Sequence, residues 1–110
     1  MRIELESPDH SDVAELVAEL DAYQATLYPL ESRYALDLES APQGSLFVAV
    51  ARDASGRAIA CAALVLEPGY GEVKRLYVRP EGRGAGIAKR LVDTLESLAR
   101  ANGCRTFSAT

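Results

Sequence analysis

The chain has 110 residues, 48% of them hydrophobic and 25% charged, which suits one domain with its own core. No apolar run approaches the about 18 residues needed to cross a bilayer, and no basic stretch followed by an apolar one opens the chain, so a cytoplasmic location is expected. A net charge of -4, with five tyrosines, two phenylalanines and no tryptophan, excludes the extended basic surface that nucleic-acid binding needs.

Ile3 and Leu5 alternate with Arg2, Glu4 and Glu6, which predicts a first strand ended by Pro8. Asp12 with Glu15 fits a capping box, and Val13, Leu16, Val17, Leu20, Tyr23, Gln24 and Leu27 recur at helical spacing. Pro29 interrupts that helix. A short second helical piece is expected over Leu30 to Leu36, before a loop holding Pro42 and Gly44. Ser45 to Arg52 and Ala58 to Glu67 read as strands joined by Asp53-Ala54-Ser55-Gly56-Arg57, hence a β-hairpin. Pro68-Gly69-Tyr70-Gly71 is the next expected turn and Glu72 to Arg79 a fourth strand. Ile87, Ala88, Leu91, Val92, Leu95, Leu98 and Ala99 mark one face of a long helix that Asn102-Gly103 stops, and Cys104 to Thr110 enters a fifth strand. Cys61 and Cys104 fall in apolar segments, and two thiols beside the single His10 make no metal-ligand set. Both are expected to be reduced core residues, with no metal and no chemistry assigned to His10.

Charge is unevenly placed. Residues 1 to 73 hold four basic and thirteen acidic side chains, whereas 74 to 90 hold Lys74, Arg75, Arg79, Arg83, Lys89 and Arg90 against Glu81 alone. Such a cluster by itself is a solvated face. Within it, however, lies the most informative stretch of the chain, Tyr77-Val78-Arg79-Pro80-Glu81-Gly82-Arg83-Gly84-Ala85-Gly86-Ile87-Ala88-Lys89, which runs from a strand through a glycine turn into a helix. The first turn of a helix leaves about four N–H groups without intrahelical acceptors, and the aligned peptide dipoles add positive potential there. A pyrophosphate supplies the missing acceptors. Gly84 and Gly86 lack the β-carbons that would hold phosphate away, and Ala88 is small. A dinucleotide fingerprint would need a further glycine at Ile87 or Lys89 and an earlier place in a βαβ unit, and a Walker A loop would need a Gly-Lys-Ser/Thr triplet; neither is present.

The pattern Arg83-x-x-Gly86-x-Ala88, five residues after a strand ending in Val78, resembles the acetyl-CoA signature of the GNAT N-acetyltransferase superfamily, and the segment Gly71 to Val78 resembles that of its small bacterial members. The resemblance covers nearly the whole chain. It implies an α/β (α+β) fold with a mixed central sheet in the order strand, helix, helix, three strands, helix, strand, as one domain over residues 1–110. It implies acetyl-CoA as acyl donor and direct transfer of acetyl to a primary amine on a small molecule or peptide. Carried over residue by residue, the backbone of Leu76, Tyr77 and Val78 would hold the pantetheine arm and acetyl carbonyl. The amides of Arg83, Gly84, Ala85, Gly86, Ile87, Ala88 and Lys89 would hold the pyrophosphate, with the Arg83 side chain secondary to its amide.

Glu72, six residues before Val78, stands where several members carry the general base; its alternative is a surface glutamate at the start of a strand, and Glu67 is a lesser candidate. Tyr23, Tyr28 and Tyr34 lie on segments that shape the acceptor pocket in this family, or pack there. Complete members continue past the fifth strand into a helix and two more strands, often with a Leu-Tyr-x-x-x-Gly-Phe motif whose tyrosine protonates the leaving thiolate. This chain stops at Thr110, so it is expected to be C-terminally truncated. A non-catalytic CoA-binding or assembly module is the rival expectation. An uncovered fifth strand would favour a homo-oligomer or a partner chain that completes the sheet.

Overall fold

The computed structural model describes the backbone of residues 1–27 and 46–109 and the side chains of 1–23 and 46–109. The helical piece expected over Leu30 to Leu36, the loop with Pro42 and Gly44, Tyr28, Tyr34, Ser45, Thr110 and the side chains of Gln24 and Leu27 lie outside the described residues. Strand β1 (Arg2–Glu6) is followed by helix α1 (Ser11–Leu27), strands β2 (Leu46–Arg52), β3 (Ala58–Glu67) and β4 (Tyr70–Val78), a 3-10 turn (Pro80–Gly82), helix α2 (Ile87–Ala101) and strand β5 (Thr106–Ala109). The five strands form one sheet in sequence order. Every neighbouring pair is antiparallel except β4 and β5, which are parallel. No described helix is long and apolar enough to cross a membrane.

Local chemistry sets the turns. Asp53 closes the β2–β3 hairpin because its Oδ1 accepts from the Ser55 N–H (2.9 Å), the Ser55 hydroxyl (2.7 Å) and the Arg57 N–H (3.1 Å), while Gly56 takes φ +90°. The β3–β4 turn needs only Pro68 and Gly69, so Tyr70 and Gly71 belong to β4, which begins two residues before the expected Glu72 and ends at Val78 rather than Arg79. Gly71 serves packing there: a β-carbon would meet Ala99 Cβ at 3.1 Å, so α2 can approach the sheet only over a glycine. The capping box expected of Asp12 and Glu15 is replaced by His10. Its carbonyl accepts from the Ala14 N–H and its Nδ1 from the Asp12 N–H, each at 3.0 Å, while Asp12 pairs with Arg52 and Glu15 with Arg79.

The sheet has two apolar faces. Helix α2 lays Ile87, Leu91, Leu95 and Ala99 against Ala49, Ala51, Ala60, Ala62, Leu64 and Val73 on one of them. On the other, Val13 and Leu16 of α1 cover Val48, Val50, Ala58, Cys61 and Ala63. Both cysteines are buried and free, and burial pushes the Cys61 thiol up to about 12.

Candidate active site

Alternation along β4 breaks at Arg75. On β3 the register advances two residues, from Cys61 to Ala63, while on β4 it advances three, from Tyr77 to Lys74, and Arg75 takes the left-handed φ of +56°. This is a β-bulge, and it re-aims everything beyond it. Val73, Leu76 and Val78 all pack on the α2 side, whereas Tyr77 joins the α1 side. Without the extra residue, Leu76 and Val78 would share a face with Glu72 and Lys74. The bulge is held from β3, since the Cys61 thiol donates to the Arg75 carbonyl at 3.7 Å.

One edge of β4 is bordered by β3 throughout. The other is bordered by β5 only from Tyr70 to Val73, so that among the described residues no strand lies beside Lys74 to Val78. The Arg79 N–H donates to Ile59 across β3 at 2.8 Å, which points the Val78 carbonyl toward the free edge. Arg83 Nε donates to that carbonyl at 3.1 Å. The Arg83 side chain therefore braces the end of the strand.

The chain then turns tightly. Gly82 N–H donates to the Arg79 carbonyl at 2.8 Å, and Gly82 is buried, with Ile87 Cδ1 at 3.3 Å from where its β-carbon would lie. Gly84 and Gly86 take φ +88° and +73°, and a β-carbon on either would meet no atom within 4 Å. Only their backbone conformation demands glycine. Gly86 is the N-cap of α2, no side chain caps it, and the first turn holds no acidic residue. Since the first helical bond runs from the Arg90 N–H to the Gly86 carbonyl at 3.2 Å, the N–H groups of Ile87, Ala88 and Lys89 have no intrahelical acceptor. Val78, Gly82, Arg83, Gly84, Gly86, Ile87 and Ala88 line a cleft of about 280 Å³ over this corner. Open space, unpaired donors and the helix dipole fit a diphosphate group.

Comparison with known proteins agrees with this geometry. Residues 8–110 match the profile of the Acetyltransferase (GNAT) family. The chain belongs to the GNAT family. It is 44% identical over 100 residues to an "IAA acetyltransferase" of Azospirillum brasilense, spanning 89% of this chain but only 65% of that relative's length. A Klebsiella pneumoniae protein provisionally assigned as an acyl-CoA N-acyltransferase superposes with a TM-score of 0.84 at 34% identity, over 96% of this chain and 68% of that one. A ribosomal-protein-alanine N-acetyltransferase from Brucella melitensis gives a TM-score of 0.67 at 26% identity, over 100% of this chain and 80% of its own.

Among the residues expected to hold CoA in a GNAT protein, six line the one cleft: Val78, Arg83, Gly84, Gly86, Ile87 and Ala88. Ala85 and Lys89 are exposed in the same turn, and Leu76 and Tyr77 lie on the strand below it. Of the basic cluster, Arg83 lines the cleft, while three other members are paired elsewhere. Arg75 pairs with Asp21, Arg79 with Glu15 and Glu19, and Lys89 with Asp93 at 2.8 Å.

Glu72 is three-quarters buried, in register with Val65 on β3 and Ser108 on β5, and Lys74 Nζ lies 3.9 Å from its carboxylate. It precedes by one residue the last position of β4 that pairs with β5 among the described residues. Six residues at about 3.3 Å each put it roughly 20 Å along the strand from Val78. Glu67 is exposed beside the Pro68–Gly69 turn at the opposite end of the sheet from the corner, and Tyr23 is 50% exposed on α1. Gly82, Arg79 and Glu19 are site neighbours that sequence reasoning passed over. Gly82 had a local signal in its place between Pro80 and the other glycines, whereas Arg79 and Glu19 meet across 60 residues and had none.

Proposed function

We propose that the chain binds acetyl-CoA with its pyrophosphate on the amides of Gly84 to Lys89 and its pantetheine arm along the free edge of β4, and that the acetyl group passes to a primary amine by direct attack. The observation that carries this reading is a strand whose second edge, past Val73, bears no strand among the described residues and which leads, through two left-handed glycines, into a helix start whose first N–H groups lack intrahelical acceptors. In the ternary complex the amine nitrogen attacks the thioester carbonyl carbon and the carbon–sulfur bond breaks. The thiolate leaves with the electron pair and takes up a proton. Donors on the β4 edge would polarise the carbonyl, and Glu72, or water, would accept the ammonium proton. Because Glu72 sits next to the last described pairing of β4 with β5, a thioester laid along that edge would bring its carbonyl toward it. The acceptor is an amine on a small molecule or peptide. Similar proteins carry names for different acceptors, so likeness of sequence and fold does not select it.

Titration of acetyl-CoA into the protein and into Gly86→Val tests the binding half. Saturable binding lost in a folded variant is the expected result, and equal affinity in both overturns it. Thiol release over a panel of amines tests transfer. A second reading, a CoA-binding or assembly module without turnover, is favoured by the outer edge of β5, which bears no strand among the described residues. CoA binding without thiol release, together with a dimer by light scattering, would select it.

A further inference from the structure

We propose that Arg79 is a positioning residue that, with Glu19, couples helix α1 to the glycine corner, so that the side of the site facing the acceptor and the side facing CoA move as one unit. The proposal rests on reading the corner as the pyrophosphate site. Arg79 follows the last residue of β4 and is 5% exposed. Its backbone joins β4 to the corner, since its N–H donates to Ile59 and its carbonyl accepts from Gly82, both at 2.8 Å. Its side chain turns the other way. Nε and Nη2 donate to the Glu19 carboxylate, at 3.0 and 2.6 Å, Nη2 also reaches Glu15 at 2.9 Å, and Nη1 donates to the Ala58 carbonyl at 2.8 Å. Tyr77, on the strand expected to hold the pantetheine arm, donates its hydroxyl at 3.2 Å to Glu19 Oε1, which also accepts from Arg79 Nε.

One guanidinium thus ties together β3, α1 and the turn that presents Gly84 and Gly86. A planar fork can do this and a lysine cannot, because three acceptors in different directions need several fixed N–H groups. Another side-chain link to this turn, Arg57 with Glu81 at 2.6 Å, is about half exposed on both partners, and such surface pairs contribute little. Burial makes Arg79 the stronger tie. Arg75 and Asp21 form a second pair between β4 and α1, but at the bulge rather than at the corner.

The decisive variant is Glu19→Ala, which keeps α1 a good helix and alters no residue of the corner. Amide exchange at Gly82, Arg83 and Arg90, the hydrogen-bonded N–H groups of the corner, is expected to quicken by about five-fold or more, and acetyl-CoA affinity measured by calorimetry to fall by a similar factor. Arg79→Lys should reproduce both effects, and Glu19→Gln, which still offers an acceptor, should recover part of each. If Glu19→Ala lowers the melting temperature and quickens exchange in α1 while Gly82, Arg83 and Arg90 exchange as in the parent, Arg79 only anchors a helix and the coupling is refuted. If the parent takes up no acetyl-CoA, the reading of the corner fails, and the exchange comparison still decides the coupling.

Discussion

Replacing Gly86 by alanine and by asparagine separates what the corner needs for folding from what it needs for phosphate. Gly86 sits at φ +73°, ψ +18°, and a β-carbon there meets no atom within 4 Å, so the cost to the fold comes from the backbone alone. An alanine held in that region costs about 1–2 kcal/mol, offset by about 0.4–1 kcal/mol from the stiffer unfolded chain. A net loss near 1 kcal/mol lowers the melting temperature by roughly 4 °C in a chain of this size. Asparagine tolerates the left-handed region, so its loss should be smaller. Binding should rank differently. Either side chain stands where a phosphate oxygen would approach the N–H groups of Ile87 to Lys89, and forfeiting one charge-assisted hydrogen bond costs about 1.5–3 kcal/mol, or roughly ten- to hundred-fold in Kd. Scanning calorimetry and acetyl-CoA titration on the same samples give both numbers. Gly86→Asn should melt closer to the parent than Gly86→Ala does and still bind at least ten-fold more weakly, by the same estimate of about 1.5 kcal/mol or more. Parent-like affinity in Gly86→Asn would show that the pyrophosphate does not rest on this turn.

Other outcomes follow from single side chains. Glu72→Gln should lower the rate of acetyl transfer and flatten the acidic limb of the pH–rate profile; an unchanged profile would assign proton removal to water or another group. Chiefly through its hydrogen bond to Arg79, the Glu19 carboxyl is held below its ordinary value of 4.5. Its contribution to stability is therefore complete above pH 4.5 and lost as pH falls through the lower folded value. Melting temperature against pH should accordingly be flatter below 4.5 in Glu19→Gln than in the parent, and parallel curves would contradict the assignment. With Cys61 and Cys104 buried and the Cys61 thiol pushed up to about 12, a thiol reagent at about pH 8 should label neither until the chain unfolds. Rapid labelling of native protein would show that the core opens locally.

Much of this protein was legible in order along the chain. The 3.6-residue spacing of Ile87, Leu91, Leu95 and Ala99 marked the buried face of α2, and Asn102-Gly103 marked its end, where the Asn102 amide donates to the Leu98 carbonyl and Gly103 takes φ +85°. Asp53 and Gly56 marked a hairpin whose described strands, Leu46–Arg52 and Ala58–Glu67, fall within the expected segments. The glycine corner was legible for the same reason: positive φ at Gly84 and Gly86 and a helix start without a side-chain cap are properties of neighbouring residues. Such features depend on interactions within a few positions, and composition and spacing encode those directly. The bulge does not. Arg75 carries no residue-level sign of a left-handed conformation, and its position follows from fitting Tyr77 and Lys74 to Cys61 and Ala63 while Val73, Leu76 and Val78 keep to the α2 face. The fate of the basic residues was equally hidden, because Arg75 and Arg79 find Asp21, Glu15 and Glu19 only after α1 has been laid across β4. Sequence alone determined where a helix start would offer its N–H groups to an anion. Tertiary structure decided that Arg75 and Arg79 would be spent on helix α1, because which of these charges meet depends on how the sheet and its helices are stacked and not on their spacing along the chain.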